Sequence, residues 1–246
     1  MSERPPATVT PEELGPLDLA EKGRRGGQVI SLDRRLFMKF TAFGRCADPH
    51  AAIAALTEDG VEGALYLDVN DSQGIGVIVM AENPDYFVTT LRALFNHRPF
   101  ADFTHKTDLD MLGRTYSIGY EPDLEDTLFA KPRSKILNPA HRWAVWYPLQ
   151  RAKKFETLPA DHQRRIFAEH ASLGKRYGAG GHVADVRLAC HGLDKNDNDF
   201  VVGLVGPALH PLSAVVQEMR RTEQTSQYLD SLGPFFVGKA AWQAKP

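Results

Sequence analysis

One order of elements occurs twice along this chain, and that duplication restricts the possible folds more than any other feature. Residues 35–43 read as a strand and 49–57 as a short Ala-rich helix. Residues 63–68 and 74–80 form two further strands about the turn Asn70-Asp71-Ser72. Pro84 opens a helix with Phe87, Leu91, Leu94 and Phe95 at helical spacing, and residues 115–120 supply a closing strand. The second half repeats this order. It has a strand at 143–147, a helix at 159–177 and strands at 183–188 and 200–205 around the turn-rich 192–197. A helix at 211–228 and a strand at 235–242 complete it. Two copies of βαββαβ predict an α+β protein of two tandem ferredoxin-like units, 31–140 and 141–246, each sheet covered by helices on one face. The remaining faces are free to meet, giving a dimeric α/β-barrel-like subunit.

Bulk properties narrow the function classes. The formal net charge is -2, so no global basic field argues for nucleic acid or an anionic membrane. Cys46 and Cys190 are too few for a disulfide framework and suit a reducing compartment. Cys190-His191 also lacks the first cysteine of a c-type haem attachment. No apolar run has the length of a membrane span. Residues 1–28, rich in Pro, Glu, Gly and Arg, show no signal-peptide pattern and too little apolar surface to offset ordering. A flexible N-terminal arm over 1–30 and a cytoplasmic location are therefore expected. The polar stretch 121–139 reads as a connecting loop.

The candidate chemistry lies in the second half. Ile166, His170, Leu173 and Tyr177 share the apolar face of one helix. A histidine there is ordinarily a core residue bonded to a carbonyl, but this is also how an imidazole is presented to haem iron. Such a ligand wants its second nitrogen held by an acceptor. Glu223 extends the apolar stripe of Leu212, Val215, Val216 and Met219, where a carboxylate is costly unless paired, and His170 is its expected partner. Arg133, Arg151, Lys153, Lys154, Arg220 and Thr225 flank the same elements. Most such cations are solvated surface, but several converging would suit anionic carboxylates. Gly178-Ala-Gly-Gly181 lacks the Lys and Ser/Thr of a P-loop, and neither a zinc motif nor a Gly-x-Ser-x-Gly elbow occurs.

These residues carry a resemblance. Tyr147-Pro-Leu, Thr157-Leu-Pro, Glu169-His-Ala-Ser-Leu-Gly-Lys-Arg-Tyr177, Gly192-Leu-Asp194, Glu218-Met-Arg220 and Gly233-Pro-Phe-Phe-Val-Gly238 occur in one order over residues 143–238. This segment resembles the C-terminal half of the chlorite dismutase-like superfamily, especially its coproheme decarboxylases, the peroxide-dependent haem synthases. The resemblance implies that His170 is the proximal iron ligand and Glu223 the carboxylate bonded to it. It implies that Tyr147 is the tyrosine whose radical attacks a propionate, and that Arg133, Arg151 and Thr225 bind propionates. Leu149 stands where a methionine often lines the pocket. On the distal side Asp185 takes the place of an arginine or glutamine. Arg187 shares its strand face, so either residue is the distal candidate.

The implied cofactor, also the substrate, is iron-coproporphyrin III (coproheme), converted by hydrogen peroxide to haem b as propionates become vinyls. The resemblance further implies a homo-oligomer, a pentamer in this family, with coproporphyrin ferrochelatase as a candidate partner. Two alternatives remain open at this level: chlorite dismutation, and non-catalytic haem binding on the same fold.

Overall fold

The computed structural model describes residues 16–245. The chain begins with a hairpin of β1 (Glu21–Arg25) and β2 (Gln28–Leu32), turned by Gly26 and Gly27, both at positive φ. This corrects part of the expected arm; residues 1–15 lie outside the described residues. Ile30 and Leu32 of the hairpin pack against the interior cluster, and polar contacts complete its attachment. The Glu21 carboxylate accepts from Arg114 Nη1 at 2.9 Å and from the Ser117 amide at 2.9 Å.

The first half then supplies β3 (Phe37–Gly44), α1 (His50–Glu58), β4 (Gly63–Asp68), β5 (Ile75–Ala81), α2 (Asp85–Val88), α3 (Thr90–Asn96), β6 (Thr104–His105) and β7 (Met111–Arg114). After α4 (Lys131–Leu137), the second half supplies β8 (Trp143–Arg151), α5 (Ala160–Ala179), β9 (Ala184–Ala189), β10 (Phe200–Gly206), α6 (Leu209–Met219), α7 (Glu223–Gln227), β11 (Leu229–Leu232) and β12 (Phe236–Gln243).

Strand order gives the duplication its physical form. The first half runs β7-β3-β5-β4 and the second β9-β10-β8-β12, the same ferredoxin-like order. β4 pairs with β12 and β7 meets β9, so the two antiparallel sheets close into one ring of eight strands. The seams are unequal: β12 and β4 pair from Gly238↔Asp68 to Gln243↔Ala64, whereas β7 and β9 are joined at Arg114↔Ala189.

Alternation sends one set of side chains into the ring, where Phe40, Tyr66, Trp146 and Phe236 are fully buried. Phe40 lies between Trp146 and Phe236, with ring centroids 5.8 and 4.8 Å away. Small residues opposite them make the room. A Cβ at Gly203 would lie 2.5 Å from the Trp146 ring, and one at Gly76 would lie 2.4 Å from Phe40.

Three expectations change. The strand expected at 115–120 lies earlier, at Met111–Arg114, because pairing with β3 ends at Phe37↔Arg114. The following loop is satisfied instead by Glu121, whose carboxylate accepts from the amides of Ile118, Gly119 and Tyr120. The connection 121–139 is largely helical, with a π-turn at Asp126–Ala130 leading into α4. Its Leu124, Leu128, Phe129 and Ile136 join the interior cluster. The long last helix divides into α6 and α7, because Thr222 leaves helical geometry and its side chain caps α7 by accepting from the Thr225 amide.

Outside the ring the two halves differ. Phe43, Leu65, Val77, Leu91, Leu94 and Phe100 fill the space between sheet and helices in the first half. In the second half the corresponding layer is thinner and opens into a cavity. Among the described residues no helix is long and apolar enough to cross a membrane.

Because Trp146 has no free volume toward Gly203, Gly203→Ala should destabilise the protein by about 1–3 kcal/mol through overpacking. The check is urea unfolding. A midpoint equal to wild type at unchanged slope would show that the ring tolerates the methyl group.

Candidate functional site

The second-half cavity has a volume of about 430 Å³, within the usual range for small-molecule sites. Its two walls differ in kind. Helix α5 contributes His170, Gly174 and Gly178 at intervals of four, so they stand on one face. A Cβ at Gly174 would meet only Met219 Cε, at 3.7 Å, so the missing side chains clear the space beside the imidazole. Val215, Val216 and Met219 of α6 continue this apolar wall, and Gln224 and Thr225 of α7 close its end.

The sheet wall consists of Tyr147 and Leu149 from β8, Val202 and Leu204 from β10, and Asp185 and Arg187 from β9. Register sets their spacing. Val202 pairs with Tyr147 on one side and Arg187 on the other, so these three form a row across three strands. Leu204 pairs with Asp185 in the next row.

His170 is half-buried, and its Nδ1 is buried with no partner among the described residues. Burial, and then the nearby Arg187 charge, push the imidazole below its ordinary value of 6.5, against weaker opposition from Asp185 and Glu169. It is therefore neutral at pH 7, the state that can donate a lone pair to a metal. Tyr147 is buried and stacks on Phe235 with centroids 4.6 Å apart. Burial first, then Asp185, raise its phenol above the usual value, so it keeps its hydrogen at neutral pH. At Asp185 burial acts upward, but Arg187 and then Lys135 outweigh it and hold the carboxyl below its ordinary value. Among the described residues no three His, Cys, Asp or Glu side chains converge as a closed metal site would need.

Of the candidates named from sequence, Tyr147, Leu149, His170, Asp185, Arg187 and Thr225 line the cavity together. Three do not. Glu223 does not meet His170: its carboxylate is 2.7 Å from His162 Nε2, and its amide donates to Glu169 at 2.9 Å. The break at Thr222 removes Glu223 from the α6 stripe and turns it toward the beginning of α5. Arg133 stands away from the cavity, held by Glu62 at 2.6 Å and near Glu82 at 3.8 Å, because α4 lies between β4 and β9 and this residue reaches the first-half side. Arg151 shares the strand face of Tyr147 and Leu149 but lies beyond the cavity lining. Its guanidinium carbon is 4.5 Å from the ring centre of Phe155 and 4.9 Å from that of Phe200, and it pairs with Glu156 at 3.1 Å.

Sequence reading overlooked Gly174 and Lys135. Gly174 carries a signal, since it lies one turn beyond His170 on the same face. Lys135 carries none: it reaches Asp185 because α4 packs beside β9, a contact fifty residues distant along the chain.

The family model described as chlorite dismutase matches residues 69–241, more than half of the chain. The structure of a novel heme-binding protein from Thermus thermophilus is similar, with a TM-score of 0.66 and 21% identity, over 84% of this chain and 91% of that one. A mutant chlorite dismutase from Candidatus Nitrospira defluvii is similar with a TM-score of 0.67 and 14% identity, over 86% and 93% of the two chains. At these identities the likeness is one of fold. No curated protein matches.

The depressed His170 value has a consequence for stability. The unfolded chain binds that proton at the ordinary value and the folded chain only at lower pH. Stability is thus lost as pH falls below 6.5. Urea midpoints measured from pH 7 to pH 5 should fall more steeply for the ligand-free wild type than for His170→Gln. Parallel curves would mean that the imidazole titrates normally.

Proposed function

The chain belongs to the chlorite dismutase family, and from that premise we propose that it binds iron-coproporphyrin III in the second-half cavity. We further propose that it removes propionate carboxyls with hydrogen peroxide, giving haem b. The observation that carries the reading is the pairing of a neutral imidazole on the helix wall with a protonated, buried phenol on the wall opposite.

The residues present fit such a group. His170 offers an imidazole whose ring nitrogens are not engaged by another protein group among the described residues, from a wall thinned by Gly174 and Gly178. The cavity is apolar along α6 and carries polar or charged groups at Arg187, Lys175, Gln224 and Thr225, as a flat apolar molecule with carboxylates at its edge requires. With Arg133 and Arg151 engaged elsewhere, and Arg187 tied to Asp185 on the sheet wall, Lys175, Gln224 and Thr225 are the groups we assign to the propionates.

When bound, the iron porphyrin supplies the oxidising power drawn from peroxide. The chain supplies position and protonation state. His170 would hold the metal through its lone pair, and the cation at Arg187 helps keep the imidazole neutral. Tyr147 is held against Phe235 and keeps a phenolic hydrogen to surrender. Once oxidised, it takes a hydrogen atom from the propionate β-carbon; loss of carbon dioxide then leaves the vinyl group. For each propionate, one hydrogen peroxide and one proton are consumed and two waters released. α6 excludes water from this face through Val215, Val216 and Met219. On this reading the protein acts in the cytoplasm as a homo-oligomer and receives its tetrapyrrole from an iron-inserting enzyme.

A second reading, haem binding without decarboxylation, is favoured by one observation: Glu62 holds Arg133, the expected propionate anchor, away from the cavity. Chlorite dismutation fits less well, because Asp185 offsets part of the cationic charge on the wall that an anionic substrate would approach.

Incubating the protein with coproheme and peroxide and separating the pigments by chromatography should yield haem b. Tyr147→Phe should bind coproheme as wild type does and produce none. Unchanged turnover in that variant refutes the role of Tyr147. Coproheme binding without haem b from wild type would favour the non-catalytic reading, and oxygen release from chlorite would favour the dismutase.

A further inference from the structure

The sheet wall holds a charge arrangement that the decarboxylation chemistry does not use. Asp185 and Arg187 stand on the same face of β9, and Arg187 Nε lies 3.0 Å from Asp185 Oδ2. Lys135 approaches from α4. Its Nζ donates to the Asp185 carbonyl at 2.5 Å and lies 3.5 Å from the other carboxylate oxygen, Oδ1. The two oxygens of one carboxylate are therefore divided between two cations. Arg187's terminal nitrogens have no protein partner among the described residues, and the residue lines the cavity beside Val202 and Tyr147.

Two opposed tendencies act on a small anion entering here. The cations attract it, and the carboxylate both repels it and fixes the guanidinium by its Nε edge. A neutral oxidant such as hydrogen peroxide feels neither to first order. We propose that Asp185 is a positioning residue that tethers Arg187 and Lys135 to the sheet wall. By offsetting one of their charges, it holds down the cavity's affinity for free anions, so that the site discriminates in favour of a neutral oxidant. The inference rests on the reading that haem would bind in the cavity between α5 and this wall. It assigns Asp185 a part in selecting the oxidant, apart from the oxidation itself. The neighbouring groups agree: Asp185 is held ionised by these two cations, and its charge is felt at both Tyr147 and His170.

The probe is azide, an anion at neutral pH, titrated into the ferric haem-loaded protein and followed by the Soret band. Asp185→Asn keeps the side-chain shape and removes the charge. The variant should bind azide roughly tenfold more tightly than wild type, an estimate already reduced for the solvent screening of half-exposed groups. Its affinity should also fall more steeply with added salt. The double variant Asp185→Asn with Arg187→Met should lose that gain. Equal or weaker azide binding in the single variant overturns the proposal, as does a gain that survives in the double variant.

Should Asp185→Asn fail to fold by circular dichroism, Lys135→Met tests the same idea in the opposite direction. It removes a cation but leaves the Asp185–Arg187 pair, so azide binding should weaken; unchanged or tighter binding overturns the proposal. If wild type shows no Soret change on adding haem, the occupancy of the cavity fails and this inference with it. Normal haem uptake with no azide difference defeats the inference alone.

Discussion

Closure of two four-stranded sheets into one ring fixes the geometry of everything outside it. Phe40 from the first half and Trp146 and Phe236 from the second meet inside at close-packed distances. Neither sheet can rotate against the other without opening a gap among those rings, and Gly203 and Gly76 leave them no spare volume. The outward faces are thus rigid surfaces, and the side chains placed there decide what each helical layer does. In the first half Phe43 contacts Phe95 and Phe100, and the layer is full. In the second half α5 carries Gly174 and Gly178 toward β8 and β10, and the layer stays open beside His170. The same scaffold supplies a filled core on one side and a cavity on the other.

The two walls of that cavity are tuned in complementary ways. Burial acts on both His170 and Tyr147, and in each case it favours the neutral form: a lone pair kept available on the imidazole, a hydrogen kept on the phenol. Arg187 reinforces the first and Asp185 the second. The β9 pair is therefore more than a local ion pair on a partly exposed strand, where its contribution to stability would be small. It adds to the preference for the neutral form that burial already imposes on each wall, and the register that places Val202 between Tyr147 and Arg187 keeps it within electrostatic range of both.

Much of this was legible in the sequence. The repeated βαββαβ order predicted the strand order of both sheets, because two-residue and 3.6-residue periodicities follow directly from backbone geometry. His170, Tyr147 and Leu149 were legible because each belongs to a periodic element whose buried face is evident. Legibility failed where a single residue redirects the chain or where a distant element intervenes. Thr222 interrupts the helix through a cap that costs one turn, and Glu223 then misses His170. Arg133 has a suitable charge and position but finds Glu62, seventy-one residues away. The hairpin of β1 and β2 was not legible because its strands are short and polar, with Ile30 and Leu32 as the few apolar side chains that reach the interior cluster and Glu21 supplying the rest of its attachment.

The displaced Glu223 has a physical consequence. In this chain α5 is anchored to α7 through His162 and Glu169, which take up the carboxylate and the amide of Glu223. Those contacts fix the start and middle of α5 and leave His170 Nδ1 without an acceptor among the described residues. A ligand imidazole whose second nitrogen is not drawn toward a carboxylate is less basic and would hold a metal less strongly. For a permanently held cofactor that would be a loss. Under the proposed reading the tetrapyrrole is substrate and then product, and must leave once its propionates are converted. Tight axial binding would slow that departure, because interactions made equally with substrate and product lower the barrier to neither chemistry nor release. An imidazole held in place by packing on α5, and left unassisted at its second nitrogen, suits a group that passes through the site.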